Sequence, residues 1–309
     1  MRAVVVRRPG PEAVAEIIEV PTPEPGPGSV RVKVAAATVN PVDLMVRNGV
    51  GGTAFAAPRD QWGIGWDVAG VIDAVGSGVD FTVGQQVIGI SDRLDISLAA
   101  QADYVVLEAQ NIAPAPTSVP ATAAATIPLN GLTALQALAA LDLTPADSLL
   151  ITGAAGAVGG YAVELAAARG IRVIAVASAA DESTVRAFGA TDFIPREANL
   201  PDAVRALIPG GVDAALDAAA LGPETLAAVR ARGRFVSVSV PATPIPLRGT
   251  KVTTVLVHAD RTQLDELVAL VDKGQLTLRV AQTYPLDAVA DAQQRLAAGG
   301  LRGRLVLIS

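Results

Sequence analysis

A chain of 309 residues in which 51% are hydrophobic but only 3% aromatic must build its cores from Ala, Val, Leu and Ile, in one large domain or two of ordinary size. A net charge of −6, with no lysine/arginine stripe, argues against nucleic acid as a partner. The absence of cysteine excludes disulfides, thiolate nucleophiles and cysteine-ligated zinc.

Met1 to Arg7 is a short apolar run between charges, not a signal peptide, and no uninterrupted apolar stretch reaches the ~18 residues of a membrane span. The expectation is a soluble cytoplasmic protein without a membrane partner. Val30 to Val34 alternates apolar and charged residues, as a half-buried strand does. Residues 68–76, 83–90 and 103–107 continue the series, so the first 117 residues read as mostly antiparallel β, a small distorted barrel. Residues 118–141 read as helical, with Gly131 interrupting. Short apolar strands then alternate with helices: strands at 148–152, 172–177, 214–217, 234–238 and 252–257, with helices over 158–169 and up to Phe188. That order predicts a doubly wound parallel sheet. A tail of helix (264–273), strand and helix ends in Arg304 to Ile308, a strand expected to return to the first domain.

The segment Thr152-Gly153-Ala154-Ala155-Gly156-Ala157-Val158-Gly159 sits directly between a predicted strand and a predicted helix. A pyrophosphate is held by backbone N–H groups at such a helix start, where the helix dipole favours an anion. Small residues let the backbone approach the phosphates, and Gly159 lets the helix pack on the strand. The next strand ends Ala177-Ser178-Ala179-Ala180, without the acid that NAD-preferring sites carry at its tip. Ser178 can bond a 2′-phosphate without repelling it, Asp181 reads as an N-terminal helix acid, and Arg186 and Arg196 are candidate phosphate partners. The expected cofactor is NADPH. A short-chain dehydrogenase is excluded, because Tyr104, Tyr161 and Tyr284 are followed four residues later by Glu108, Leu165 and Ala288, not lysine.

In order along the chain, Val39-Asn40-Pro41-Val42-Asp43, Gly65 to Val71, Ile127 to Ala134, the glycine turn, Phe188 to Asp192 and Arg302 to Leu307 resemble the medium-chain dehydrogenase/reductase superfamily, in its zinc-free, quinone oxidoreductase branch. The resemblance implies an α/β fold: a GroES-like β-barrel domain from residues 1–117 and 258–309, and a Rossmann sheet domain from 118–257. It also implies a homodimer through the edge strand near 252–257. Zinc-dependent relatives carry a cysteine near Asn40 and a histidine at Trp66, so metal-assisted alcohol chemistry is not expected.

Residue by residue, the resemblance places Asn40 and Thr133 beside the nicotinamide, with Asn40 as the catalytic hydrogen-bond donor or ribose holder. Gly153, Ala155, Gly156, Ala157, Val158 and Gly159 would hold the pyrophosphate, and Ser178 with Arg196 the 2′-phosphate. Ala219, Val240 and Arg302 complete the cofactor set. Met45, Trp62, Trp66 and Asn130 would line the acceptor pocket, with Phe55 as a further flat wall. No tyrosine occurs before residue 104, although enoyl-thioester reductases carry one near Gly51 and many quinone reductases at Met45. The sole histidine, His258, reads as a surface or interface residue. The expected reaction is hydride transfer from NADPH to a small electron-poor acceptor, a quinone or the activated C=C of an α,β-unsaturated carbonyl. An enoyl reductase of a polyketide-like pathway and a non-catalytic NADPH-binding protein, structural or sensory, stay open.

Overall fold

Strand β1 (Arg2–Val6), the opening apolar run, is buried from Ala3 onward in the computed structural model, which describes residues 1–50 and 60–309. It is followed by β2 (Glu16–Glu19), the long strand β3 (Ser29–Val39), helix α1 (Pro41–Arg47), β4 (Trp62–Gly63), β5 (Asp67–Val75), β6 (Gln86–Ile90), β7 (Tyr104–Glu108), β8 (Ile112–Pro114) and the short helix α2 (Ala121–Ala124). The alternation around Val30 is realised in β3, where Val30, Val32 and Val34 are buried and Lys33 is exposed. Val30, Val32, Ile72, Val87, Leu107 and Ile112 share one core cluster, each fully buried aliphatic side chain stabilising the fold by about 1.5–3 kcal/mol.

Helix α3 (Pro128–Leu141) comes next. The helical run 118–141 breaks before Pro128, not at Gly131, because proline fits a first helical turn and restricts the residue before it. Residues 121–141 are the one stretch among the described residues long and apolar enough to cross a membrane, and 89% of its most apolar window is buried inside the protein.

The chain then alternates through β9 (Ser148–Thr152), α4 (Ala157–Ala168), β10 (Arg172–Ala177), α5 (Glu182–Ala187), β11 (Asp192–Pro195), α6 (Leu200–Leu207), β12 (Val212–Asp217), α7 (Pro223–Ala227), β13 (Val229–Ser237) and β14 (Lys251–Thr254). Six parallel strands lie in the order β11-β10-β9-β12-β13-β14. Counted by appearance, that is the doubly wound dinucleotide-binding order, which reverses between the first strand and the fourth. The apolar runs of the sequence predict five of these six strands. Strand β11 is only four residues long and closes on a proline, so it carries almost no apolar pattern.

The tail forms α8 (Arg261–Asp272), β15 (Val280–Pro285), α9 (Val289–Ala297) and β16 (Arg304–Ile308). Strand β16 pairs antiparallel with the end of β3 and parallel with β15, in the sheet β15-β16-β3-β5-β6-β8, where β7 also pairs with β3. A second sheet runs β2-β1-β4. Contacts divide the chain into two units, residues 1–129 with 258–309 and residues 130–257. The first crossing therefore falls at 129/130 rather than the expected 117/118, since α2 packs on β3 and β5.

Candidate functional site

In the parallel-sheet unit, β9 delivers the chain into the glycine turn. Gly153 has φ +62, a left-handed conformation that glycine adopts without strain, and a Cβ there would lie 3.2 Å from the Ala218 carbonyl. Gly156 caps α4 and donates to the Gly153 carbonyl at 2.8 Å. A Cβ on Gly159 would lie 2.7 Å from the Gly153 carbonyl carbon and 2.9 Å from Ala154 Cα, and closer still to the Gly153 oxygen. From Gly153 to Ala157 no side chain exceeds a methyl group, so the turn is bare backbone at the start of a twelve-residue helix. This cradle fits a pyrophosphate.

The other cofactor candidates on this unit follow the carboxyl ends of successive strands in the same sheet. Ser178 follows β10 and Arg196 follows β11, and these strands are paired through Ala177↔Pro195, so the two residues fall at adjacent strand tips. Ser178 is half-buried; Arg196 is exposed and pairs with Glu197 at 3.1 Å. Asp181 is 7% exposed at the start of α5, three residues past Ser178. Exposed Ala219 follows β12, and Val240 stands 57% exposed in the turn after β13. Arg186 pairs with Glu182 within α5.

Asp217, which the sequence reading treated only as a strand end, shapes the loop carrying Ala219. The buried Thr152 hydroxyl donates to Asp217 Oδ1 at 2.6 Å and accepts the Ala219 N–H at 3.1 Å. Asp217 also accepts the Leu221 and Gly222 N–H groups, at 3.1 and 2.6 Å. These bonds hold Ala220 at φ 58, unusual for a residue with a Cβ. They link β9 to β12 where the strand order reverses.

In the other unit, Asn40 stands at the centre of a buried polar cluster. Asn40-Pro41-Val42-Asp43 starts α1: Asp43 Oδ2 accepts the Asn40 N–H at 2.7 Å, and the Asp43 N–H donates back to the Asn40 carbonyl at 3.0 Å. The Asn40 amide donates to Thr38 Oγ1 at 2.7 Å and to Asp67 Oδ2 at 2.9 Å, while the Thr38 hydroxyl itself donates to Asp67 Oδ2. Gln101 donates to Asp43 and to the Thr38 carbonyl, both at 3.0 Å, and Gly65 N–H reaches Asp43 at 3.2 Å. Thr38, Asn40, Asp43, Asp67 and Gln101 are all fully buried. Burial pushes the Asp43 carboxyl up to about 7, the neighbouring Asp67 charge adding to it against the N–H bonds and Arg304. Burial likewise raises Asp67 to about 6, opposed by its bonds from Thr38, Leu129 and Asn40.

Both protons of the Asn40 amide are engaged within this cluster and the side chain is buried. Sequence reasoning missed Thr38, Asp43, Asp67 and Gln101. The spacing Asn-Pro-x-Asp, a helix-capping pattern with proline in the first turn, was the available signal.

Asn130 is 1% exposed and belongs to the core rather than to a pocket wall, while Thr133, one turn along α3 from Leu129, is 8% exposed. Trp66 is 8% exposed, and Trp62 is partly buried against the cluster of Val4, Val6, Ile64 and Leu305. Met45 is half-buried on α1, and Arg302 is exposed just before β16. Gly51 and Phe55 lie outside the described residues. His258 is exposed. Among the described residues no three His, Cys, Asp or Glu side chains gather as a metal site, and the chain's lack of cysteine leaves no thiolate donor. The residues present do not fit the zinc centre of zinc-dependent relatives.

Two family models match the chain: the alcohol dehydrogenase GroES-like domain over residues 26–117, and a zinc-binding dehydrogenase family over residues 188–307. A chloroplast envelope quinone oxidoreductase homolog of Arabidopsis thaliana is 27% identical over 317 residues, covering 96% of this chain and 95% of that protein. Among solved structures, one described as an NAD-dependent alcohol dehydrogenase superposes with a TM-score of 0.88 at 31% identity, covering 100% of both chains. The quinone oxidoreductase from Coxiella burnetii superposes at 0.87 with 28% identity, over 100% of this chain and 99% of that one. With its GroES-like unit and its Rossmann-type parallel sheet, the chain belongs to the medium-chain dehydrogenase/reductase superfamily of nicotinamide-using oxidoreductases, in the quinone oxidoreductase-like branch.

Proposed function

We propose that this chain is an NADPH-dependent, zinc-independent reductase of quinones or of the activated C=C bond of α,β-unsaturated carbonyls. The observation that carries the reading is the array of small or phosphate-compatible residues at five successive strand ends of one sheet: the glycine turn, Ser178, Arg196, Ala219 and Val240. Ligands of open parallel sheets bind outside the carboxyl ends of the strands, beside the point where strand order reverses.

NADPH is favoured over NADH because Ser178 and Arg196 stand at adjacent tips while the nearby acid, Asp181, is buried. Zinc independence is supported by the missing donors. A bound NADPH supplies a hydride to an electron-poor carbon or quinone, chemistry that needs no Lewis acid when the acceptor is already activated. The chain's part is then to hold the dinucleotide through the turn and Thr133. With Asn40 engaged elsewhere, the balancing proton is assigned to water.

The test is NADPH and NADH oxidation with quinones, enones and enoyl thioesters, by the wild type and Arg196→Ala. Turnover of quinone or enone is expected. Arg196→Ala should weaken NADPH binding about tenfold and leave NADH unchanged, the loss of one charge-assisted phosphate contact. Equal effects on both cofactors would reject the 2′-phosphate site. The engagement of Asn40 favours a second reading, NADPH binding without turnover, which is the outcome if no acceptor is reduced.

We also propose a homodimer through the open edge of β14. In the segments before and after β14, Ile245, Leu247 and Leu256 are 81%, 54% and 73% exposed, apolar side chains that a partner would cover. Sedimentation should give twice the 31.3 kDa chain mass. A Leu256→Asp variant should sediment as monomer, and a variant that stays dimeric would place the interface elsewhere.

A further inference from the structure

The carboxylate of Asp67 ends a chain of donors. One oxygen, Oδ2, takes the Thr38 hydroxyl and the Asn40 amide; the other takes the backbone N–H of Leu129. Leu129 is the second residue of α3, where the helix dipole favours a negative charge. With one oxygen held by two side chains, the carboxylate cannot turn without breaking those bonds, and Thr38, Asn40 and Asp67 are fully buried. Thr133 lies four residues beyond Leu129, on the same helix face. The start of this helix is thus gripped by a fixed group on another element, one turn before a cofactor candidate.

We propose that Asp67, held by Thr38 and Asn40, is a positioning residue that fixes the first turn of α3 and through it the placement of Thr133 on the cofactor. The proposal rests on the reading of Thr133 as a contact of NADPH. It gives Asn40 a part in the reaction that needs no contact with the acceptor. A buried acid serving only stability would lower the melting temperature, and its effect on NADPH affinity would not depend on Thr133.

The experiment is a double-mutant cycle on the full chain, read as the Kd for NADPH by titration, with Asp67→Asn, Thr133→Val and the pair. Asp67→Asn replaces one carboxylate oxygen with an NH2 donor, so the side chain can no longer accept from Thr38 and Asn40 on one side and from Leu129 on the other. Each single variant should bind NADPH about tenfold more weakly, and Asp67→Asn should cost nothing further once Thr133 is valine. Independent, additive losses overturn the proposal while leaving Thr133 as a contact. If Thr133→Val binds NADPH as the wild type does, the reading of Thr133 fails and takes the proposal with it. Should circular dichroism show Asp67→Asn unfolded, the near-isosteric Thr38→Val takes its place in the cycle with the same expected outcomes.

Discussion

A Gly159→Ala variant should bind its nicotinamide dinucleotide about a hundredfold more weakly than the wild type, a loss of ~2.7 kcal/mol. The added methyl would lie 2.7 Å from the Gly153 carbonyl carbon and 2.9 Å from Ala154 Cα, distances that real Cβ atoms do not show. The obstacle is backbone, not a flexible side chain, so α4 must lift from the turn or the turn must reopen. Either movement displaces the helix start that meets the pyrophosphate. Gly210→Ala is the matched control, since a Cβ there meets nothing within 4 Å. Binding by Gly159→Ala equal to that of the control would remove the turn as the dinucleotide site.

Asp43→Ala should lower the unfolding free energy by about 3 kcal/mol or more, because it leaves the buried N–H donors of Asn40, Gly65 and Gln101 without their acceptor. For a chain of 309 residues that is a midpoint shift of roughly 5 °C. The wild type should itself depend on pH through the same cluster. Asp43 and Asp67 are raised to about 7 and about 6 from 3.8, chiefly by burial, with Arg304 the cation opposing the shift. A carboxyl raised on folding binds its proton more tightly when folded, so its contribution is fully present below its unfolded pKa. That contribution is lost as pH rises through the folded values. Asp103, Asp147 and Asp213 are lowered, Asp103 and Asp213 by bonds that outweigh burial, and they act in the opposite sense, losing stability as pH falls below the ordinary carboxylate range. The melting temperature should therefore be highest near pH 5 and decline towards pH 8, with a shallower decline in Asp43→Ala. A midpoint that rises from pH 5 to 8 would show both acids charged and satisfied in the folded protein.

The parallel sheet was legible because its signals are local. A strand, a glycine turn and a helix lie within 148–168, and the next strand repeats the apolar run at 172–177. The returning strand at 304–308 was legible by its apolar run and by the shortness of the tail. Asp67 and Asp43 gave no such signal. Their partners stand 62 positions away at Leu129 and 58 away at Gln101, and no periodicity marks a carboxylate that will be buried by tertiary packing. For Asn40 the legible part is local: Asn before Pro starts a helix, which the capping geometry at Asp43 realises. Trp62 and Trp66 carry no local pattern that tells core packing from a site wall: Trp66 is 8% exposed, and Trp62 is partly buried against a core cluster.

Strand β16 lies between β15 and β3, although it is built from residues 304–308 and β3 from residues 29–39. On the ribosome, the end of β3 therefore waits with an unpaired edge while more than two hundred and fifty residues are added. The six-stranded sheet draws all its strands from residues 148–254 and closes during that interval. The nucleotide-binding unit is thus expected to mature first, and the barrel to pass through a stage with an open strand edge, the kind of surface that chaperones shield from self-association.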